Sequence, residues 1–363
     1  MNILKKSFLL LLLWIPSLLQ AQPENAIDQF LQGKFAANEP GASVLIVKDG
    51  KNVFRKSYGL SNLAANTELT PESVLRIGSI TKQFTSTAIL KLSEQGKINL
   101  QDEITKYLPD YPTQGKRITI EHLLTHTSGI RSYTSLPEIM NKEAKAKSFS
   151  VSEMIDAFKD KPMDFNPGDA YAYNNSGYFL LGAIVEKVSG MTWAAYLQKN
   201  FFGPLKMKST FTDDKNVSGM ASGYVKAAVY VEADYVHPSI PFAAGAIFST
   251  VDDLWKWNRA IFSYQVVKKE SLEKAWTPLT LNNGEKQSYG YGWQLGKIQK
   301  MKVIAHGGGI DGFLSYALYV PDANLFVTVL CNSMSQAPEQ IAYRIARIAL
   351  NVDDQELTPI VLE

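Results

Sequence analysis

A hydroxyl and an amine stand three residues apart in RIGSITKQF, where Ser79 and Lys82 follow Gly78 and lead into an apolar, helix-forming run. Three residues of helix bring the lysine side chain onto the face of the serine, within reach of its hydroxyl. A helix N-terminus is positive and a buried ammonium loses solvation, and both effects move the amine toward a state that accepts a proton. A serine beside a neutral lysine is an activated nucleophile, one of the Ser-Lys variants of triad chemistry. The spacing alone says little, because Ser271 and Lys274 repeat it in SLEK without supporting context. A serine opening a helix also serves commonly as its N-cap.

Two further segments supply candidate partners. PGDAYAYNNSGYFLLG contains Tyr173-Asn174-Asn175, the only Y-x-N in the chain, in a loop leading into an apolar helix. A tyrosine close to cations is expected to lose its proton more easily than in water, and so to shuttle it between the serine and a leaving group. Asn175 carries an amide that both donates to and accepts from a substrate amide. AHGGGIDGF, with His306, Gly308 and Gly309, closes a predicted strand. Its glycines remove side chains and let a substrate lie along the backbone. The N–H groups of Ser79 and Gly309 are the candidates for an oxyanion hole. A glycine-rich hairpin turn capped by His306 is the simpler reading of that segment.

Other residues point away from chemistry. His122 and His126 are four apart on an expected helix, but H-L-L-T-H lacks the central glutamate of a zincin and has no evident third ligand, so no metal is expected. Ser249 or Thr250 ahead of Asp252 and Asp253 reads as a helix cap. No G-x-S-x-G occurs, which removes the α/β-hydrolase route to a serine esterase. Cys331, the only cysteine, lies in the strand-like run LFVTVLCNS and reads as a small buried hydrophobe. No cofactor is expected.

The elements that must position these groups fall into a simple order. A helix is expected over about residues 25–37, then a hairpin in ASVLIVKDGKNVFRKSYG around Asp49 and Gly50. Three more strands are expected in KVIAHGG, FLSYALYV and ANLFVTVLC, followed by a helix over about 337–350. Between Ser79 and about Lys286 the periodicity is mostly helical. The predicted fold is therefore α/β of the α+β kind. One antiparallel sheet is built from the two ends of the chain and flanked by the terminal helices, and a large helical insertion forms a cleft with it. This gives one catalytic domain over about 28–350, with its sheet part at about 28–75 and 287–350 and its helical part at about 76–286.

Composition limits the partners. MNILKK, then SFLLLLLWIPSLL, then QAQ has the shape of a secretory signal over residues 1–21, cut after Ala21, with an uncleaved anchor as the alternative. Losing Lys5 and Lys6 turns 37 basic against 35 acidic residues into equal numbers. No basic face for nucleic acid is implied. An exported, periplasmic or secreted protein with no stable membrane span after cleavage is expected. With a single cysteine it has no internal disulfide.

Ser79-x-x-Lys82, Tyr173-x-Asn175 and His306-Gly307-Gly308, in that order, resemble the serine β-lactamase and penicillin-binding protein superfamily in its class C-like branch. LLTHTSGI, PLKMKST, AAGAIFSTVDDL and YGYGW resemble it too, so the likeness runs over about 28–350. It implies that Ser79 is acylated, that Lys82 and Tyr173 move protons and that Asn175 holds the substrate amide. It also implies that His306 stands where many relatives carry lysine. Lactamases of this branch usually show Lys-Thr-Gly there, whereas secreted DD-peptidases and related esterases often show His-x-Gly. The expectation is thus a DD-carboxypeptidase or D-aminopeptidase-like enzyme acting on a small-molecule or peptide substrate, with peptidoglycan-derived peptides among the candidates. A small-ester esterase or weak β-lactamase is the alternative within the fold, and a non-catalytic penicillin or peptidoglycan receptor the alternative outside it.

Overall fold

The computed structural model describes residues 15–213 and 219–352. The central sheet has six antiparallel strands: β1 (Ala42–Lys48), β2 (Lys51–Tyr58), β3 (Gln294–Ile298), β4 (Met301–Ile310), β5 (Phe313–Val320) and β6 (Leu325–Cys331), in the order β3-β4-β5-β6-β1-β2. The two ends of the chain meet where β1 pairs with β6, from Ala42 opposite Cys331 to Lys48 opposite Leu325.

Both faces of this sheet are covered, which explains why β1 and β6 read as continuous apolar runs rather than alternating ones. Val44, Ile46, Val327 and Val329 turn toward Ile27 and Leu31 of α1 (Ile15–Gln32) and Ile341 and Ile345 of the C-terminal helix. Leu45 and Val47 turn the other way, toward the helical part. Cys331 is fully buried at the end of β6, and burial raises its thiol, so it has the packing role expected.

The helical part includes α2 (Thr81–Glu94), α3 (Ile120–Leu124), α4 (Asn175–Ser189), α5 (Phe242–Gly245) and α6 (Val251–Phe262); α7 (Pro338–Leu350) closes the chain on the sheet's other face. Helix α2 is the axis of this half, with every residue from Thr81 to Leu90 buried. Its hydroxyls are nevertheless satisfied: Thr85 Oγ1 donates to Ala243 O at 2.7 Å and Thr87 Oγ1 to Gln83 O at 2.7 Å. A polar but buried helix of this kind fixes its rotation through those bonds as much as through apolar packing.

Several expectations are corrected. The first helix runs from Ile15 to Gln32 rather than over about residues 25–37. Residues 1–14 of the expected leader lie outside the described residues. Strand β3, in WQLGKI, was not expected. Helix α3 stops at Leu124, so His126 lies beyond it in a left-handed turn (φ 61°) and shares no helical face with His122. His122 Nδ1 instead accepts the Thr119 N–H at 3.2 Å as part of the α3 cap. Among the described residues no cluster of three metal-ligating side chains occurs, and no helix is long and apolar enough to cross a membrane. Thr250 does cap α6, accepting the Asp253 N–H at 3.3 Å.

Candidate active site

Ser79 sits in the middle of a single 3-10 turn, Gly78–Ile80, that runs directly into α2. It caps neither element through its side chain, so the N-cap reading is excluded. Lys82 Nζ lies 3.1 Å from Ser79 Oγ, 2.7 Å from Asn175 Oδ1 and 2.9 Å from Ala244 O. Burial of its whole side chain holds the amine well below the ordinary lysine range. A neutral amine has two N–H groups and one lone pair. The two shorter contacts are to a carbonyl and an amide oxygen, which only accept. In that neutral form the lone pair is left for Ser79, whose O–H can donate to it, whereas with the proton on Nζ the ammonium donates to Ser79 Oγ. The longest of the three contacts is thus the one along which a proton can pass from Ser79 to Lys82.

Asn175 opens α4, and Asn174 caps that helix by accepting the Gly177 N–H at 2.8 Å. The cap fixes the direction in which Asn175 leaves the loop, with Oδ1 on Lys82 and Nδ2 3.5 Å from Thr134 Oγ1. Tyr173, two residues earlier, is 39% exposed as a residue, but its hydroxyl end is buried and faces Ser79. The ammonium position of Lys82 lies 4.7 Å from the Tyr173 ring centre and 5.4 Å from that of Tyr178. Two aromatic faces therefore stabilise positive charge once Lys82 has taken a proton. The expectation that Tyr173 ionises easily is corrected: burial pushes the phenol up, and the bond to Ser79 offsets this only in part. Burial disfavours the charge on the neighbouring Lys82 amine as well, which weakens the cation that was expected to draw the proton off. Tyr173 is a proton donor in the resting site.

His306 lies on β4 but does not reach into the cleft as a cation. It is 1% exposed; Nδ1 donates to Gly307 O at 2.6 Å and Nε2 accepts from Tyr289 Oη at 2.9 Å. Burial first, and then the charge of Lys82 once that amine is protonated, push it down to about 3. The structure thus places a neutral imidazole, with both nitrogens engaged by the protein, where the resemblance led us to expect a substrate-binding histidine.

Gly308 and Gly309 lie on the part of β4 that β3 does not cover. Pairing with β3 ends at Gln294 opposite Ala305, so from His306 onward that edge has no strand neighbour among the described residues. An extended substrate backbone can add there. Gly308 has a further reason to be glycine: a β-carbon would stand 2.0 Å from Ile77 O and 2.4 Å from Ser315 Oγ. Gly78 (φ 48°) brings the Gly309 amide alongside the turn that carries Ser79, since a β-carbon at 78 would lie 2.7 Å from Gly309 N. Both expected oxyanion donors therefore belong to segments in direct contact.

Ser271 makes its bond to Glu94, remote from these groups. Sequence reasoning missed Ala244, whose carbonyl orients Lys82, and Tyr289, which seals His306. Both stand in blocks that had been noted for their likeness, AAGAIFSTVDDL and YGYGW, without a role of their own.

A buried lysine poised to take the proton of a half-buried serine, with a phenol beside it, is the centre of a serine hydrolase. The Beta-lactamase family model matches residues 24–350, and the chain belongs to that family. It is 29% identical over 308 residues to penicillin-binding protein 4* of Bacillus subtilis, covering 80% of this chain and 67% of that one. An octameric penicillin-binding protein homologue from Pyrococcus abyssi superposes with a TM-score of 0.80 at 31% identity, over 91% of this chain and 78% of that one. A D-stereospecific amidohydrolase from Streptomyces superposes with a TM-score of 0.77 at 26% identity, over 89% and 97%. The chain spans about two thirds of the length of the curated relatives it matches.

Proposed function

We propose that the protein hydrolyses amide bonds at D-amino acid residues through an acyl-enzyme on Ser79, acting on small peptides or amides of cell-wall type outside the cytoplasm. The observation that carries the chemistry is the bonding of Lys82, which leaves its lone pair for the serine proton. In acylation Ser79 Oγ attacks the carbonyl while its proton passes to Lys82. The developing oxyanion is held by the amides of Ser79 and Gly309. Tyr173 gives its proton to the departing amine and recovers one from Lys82. Water then takes the place of the amine, and the same groups run in reverse.

Between the two peptidase orders, the neutral His306 favours the aminopeptidase or amidase direction. A carboxypeptidase substrate ends in a carboxylate beside the scissile bond, and this part of β4 offers it no cation. β-Lactams carry a carboxylate at the comparable place and are expected to be poor substrates. The relative described as a D-stereospecific amidohydrolase supports the same direction. The signal-like segment at residues 1–21 supports export.

The test is labelling of the mature protein with a fluorophosphonate. Ser79→Ala should abolish it and Ser271→Ala should leave it intact; equal labelling of wild type and Ser79→Ala would remove Ser79 as the nucleophile. D-Aminoacyl amides, D-Ala-D-Ala peptides, p-nitrophenyl esters and nitrocefin then rank the substrates. Faster turnover of D-Ala-D-Ala peptides than of D-aminoacyl amides would reverse the proposed direction.

A further inference from the structure

His126 belongs to no step described so far, yet it holds both neighbours of Tyr173. Its carbonyl accepts the N–H of Ala172 at 3.0 Å, and its Nδ1 accepts the N–H of Asn174 at 3.0 Å. Its ring centre lies 4.3 Å from that of Tyr173, 4.7 Å from Tyr289 and 5.0 Å from Tyr178. Because Nδ1 accepts, the ring proton is on Nε2, and that nitrogen is buried without a hydrogen-bond partner. Tyrosine rings pack around the imidazole. The residue also sits in the left-handed region at φ 61°, a conformation that glycine adopts at no steric cost and that asparagine, aspartate and histidine tolerate better than other side chains. A buried histidine with one nitrogen unpartnered, in an unfavourable backbone conformation, is a poor structural choice. A plain turn residue would relieve the strain and the orphaned nitrogen together.

We infer that His126 is a positioning residue for the proposed proton donor: by gripping residues 172 and 174 and stacking on the ring between them, it fixes the phenol of Tyr173 over Ser79. The inference rests on the reading of Tyr173 as the acid that protonates the leaving amine. A donor of this kind contributes roughly 10²–10⁴-fold, and a displacement of about 1 Å forfeits much of that. Neutrality suits the position, because burial and the nearby Lys82 and His306 keep His126 well below the usual histidine range. A second cation beside Lys82 would oppose its protonation.

The choice of substitutions separates the grip from the ring. In His126→Asn the amide oxygen stands close to the place of Nδ1, and asparagine tolerates the left-handed turn. His126→Phe keeps a ring and loses the acceptor. The readout is kcat/KM, which stops at acylation, for a D-aminoacyl anilide and for the matching p-nitrophenyl ester. The anilide needs a proton on its leaving group, and nitrophenolate does not. Tyr173→Phe should lower the anilide far more than the ester. His126→Phe should show the same selective loss, by about 10²-fold on the anilide, and His126→Asn should recover most of it. In the double variant His126→Phe/Tyr173→Phe the anilide rate should equal that of Tyr173→Phe alone. Equal losses on both substrates in His126→Phe, or additive losses in the double variant, would overturn the inference and leave His126 a folding residue. Absence of leaving-group selectivity in Tyr173→Phe itself would instead overturn the role given to the tyrosine.

Discussion

At the scale of single residues, the site is built by removing water from an amine and then giving that amine only acceptors, apart from one hydroxyl. Full burial lowers the proton affinity of Lys82, and the amine stays oriented because Asn175 Oδ1 and Ala244 O accept from it. The acid limb of kcat/KM should therefore fall well below the ordinary lysine range. Activity disappears as pH drops through that limb, because a protonated Lys82 cannot receive the serine proton. Lys82→Arg, permanently charged, should lose about 10²–10⁴-fold across the whole range and abolish the limb; a limb unchanged in this variant would assign it to another group. The pair Ser79 and Lys82 was legible in the sequence because its geometry is local, three residues along one turn. The protonation of Tyr173 and the engagement of His306 were not. Each depends on what surrounds the ring, and the partners of His306 include Tyr289, seventeen residues away on another segment.

At the scale of elements, the catalytic turn and strand β4 are fitted to each other without room for side chains. Gly308→Ala would drive a methyl to 2.0 Å from Ile77 O. A shift of β4 or of the turn must follow, at a cost of about 1–3 kcal/mol in stability. Because Ile77 precedes the nucleophile by two residues, kcat/KM should fall in step with melting temperature in this variant. Gly309→Ala, whose β-carbon would meet only Leu314 Cδ2 at 3.3 Å, should cost little stability. A Gly308→Ala protein with wild-type melting and activity would show that the two segments are not so tightly docked. The glycines stood out in the sequence, but the reasons for them differ: Gly309 leaves an open edge, and the space beside Gly308 is taken by the carbonyl of Ile77. Strand periodicity carries no record of such a contact. It recovered β1, β2, β4, β5 and β6, and missed β3, a short strand broken by Gly296.

At the scale of the whole molecule, burying neutral imidazoles at the junction of sheet and helices makes the fold sensitive to acid. An unfolded chain takes up a proton on His306 below about 6.5, whereas the folded protein resists until about 3. More protons bind to the unfolded state across that window, so stability falls as pH falls through it, by up to about 1.4 kcal/mol per pH unit for this residue. His306→Gln should therefore lose less stability between pH 7 and pH 4 than wild type does, as measured by denaturant unfolding; an identical loss would place the acid sensitivity elsewhere. The pairing of β1 with β6 has a further consequence, for the order in which the molecule comes into being. Residue 42 waits for residue 331 before the middle of the sheet exists. Ser79, Lys82 and Tyr173 are all synthesised long before the strand that must face them. A chain still emerging from the ribosome carries Ser79 and Lys82 without the strand that faces them, so the proposed chemistry would begin only when nearly the last strand has arrived.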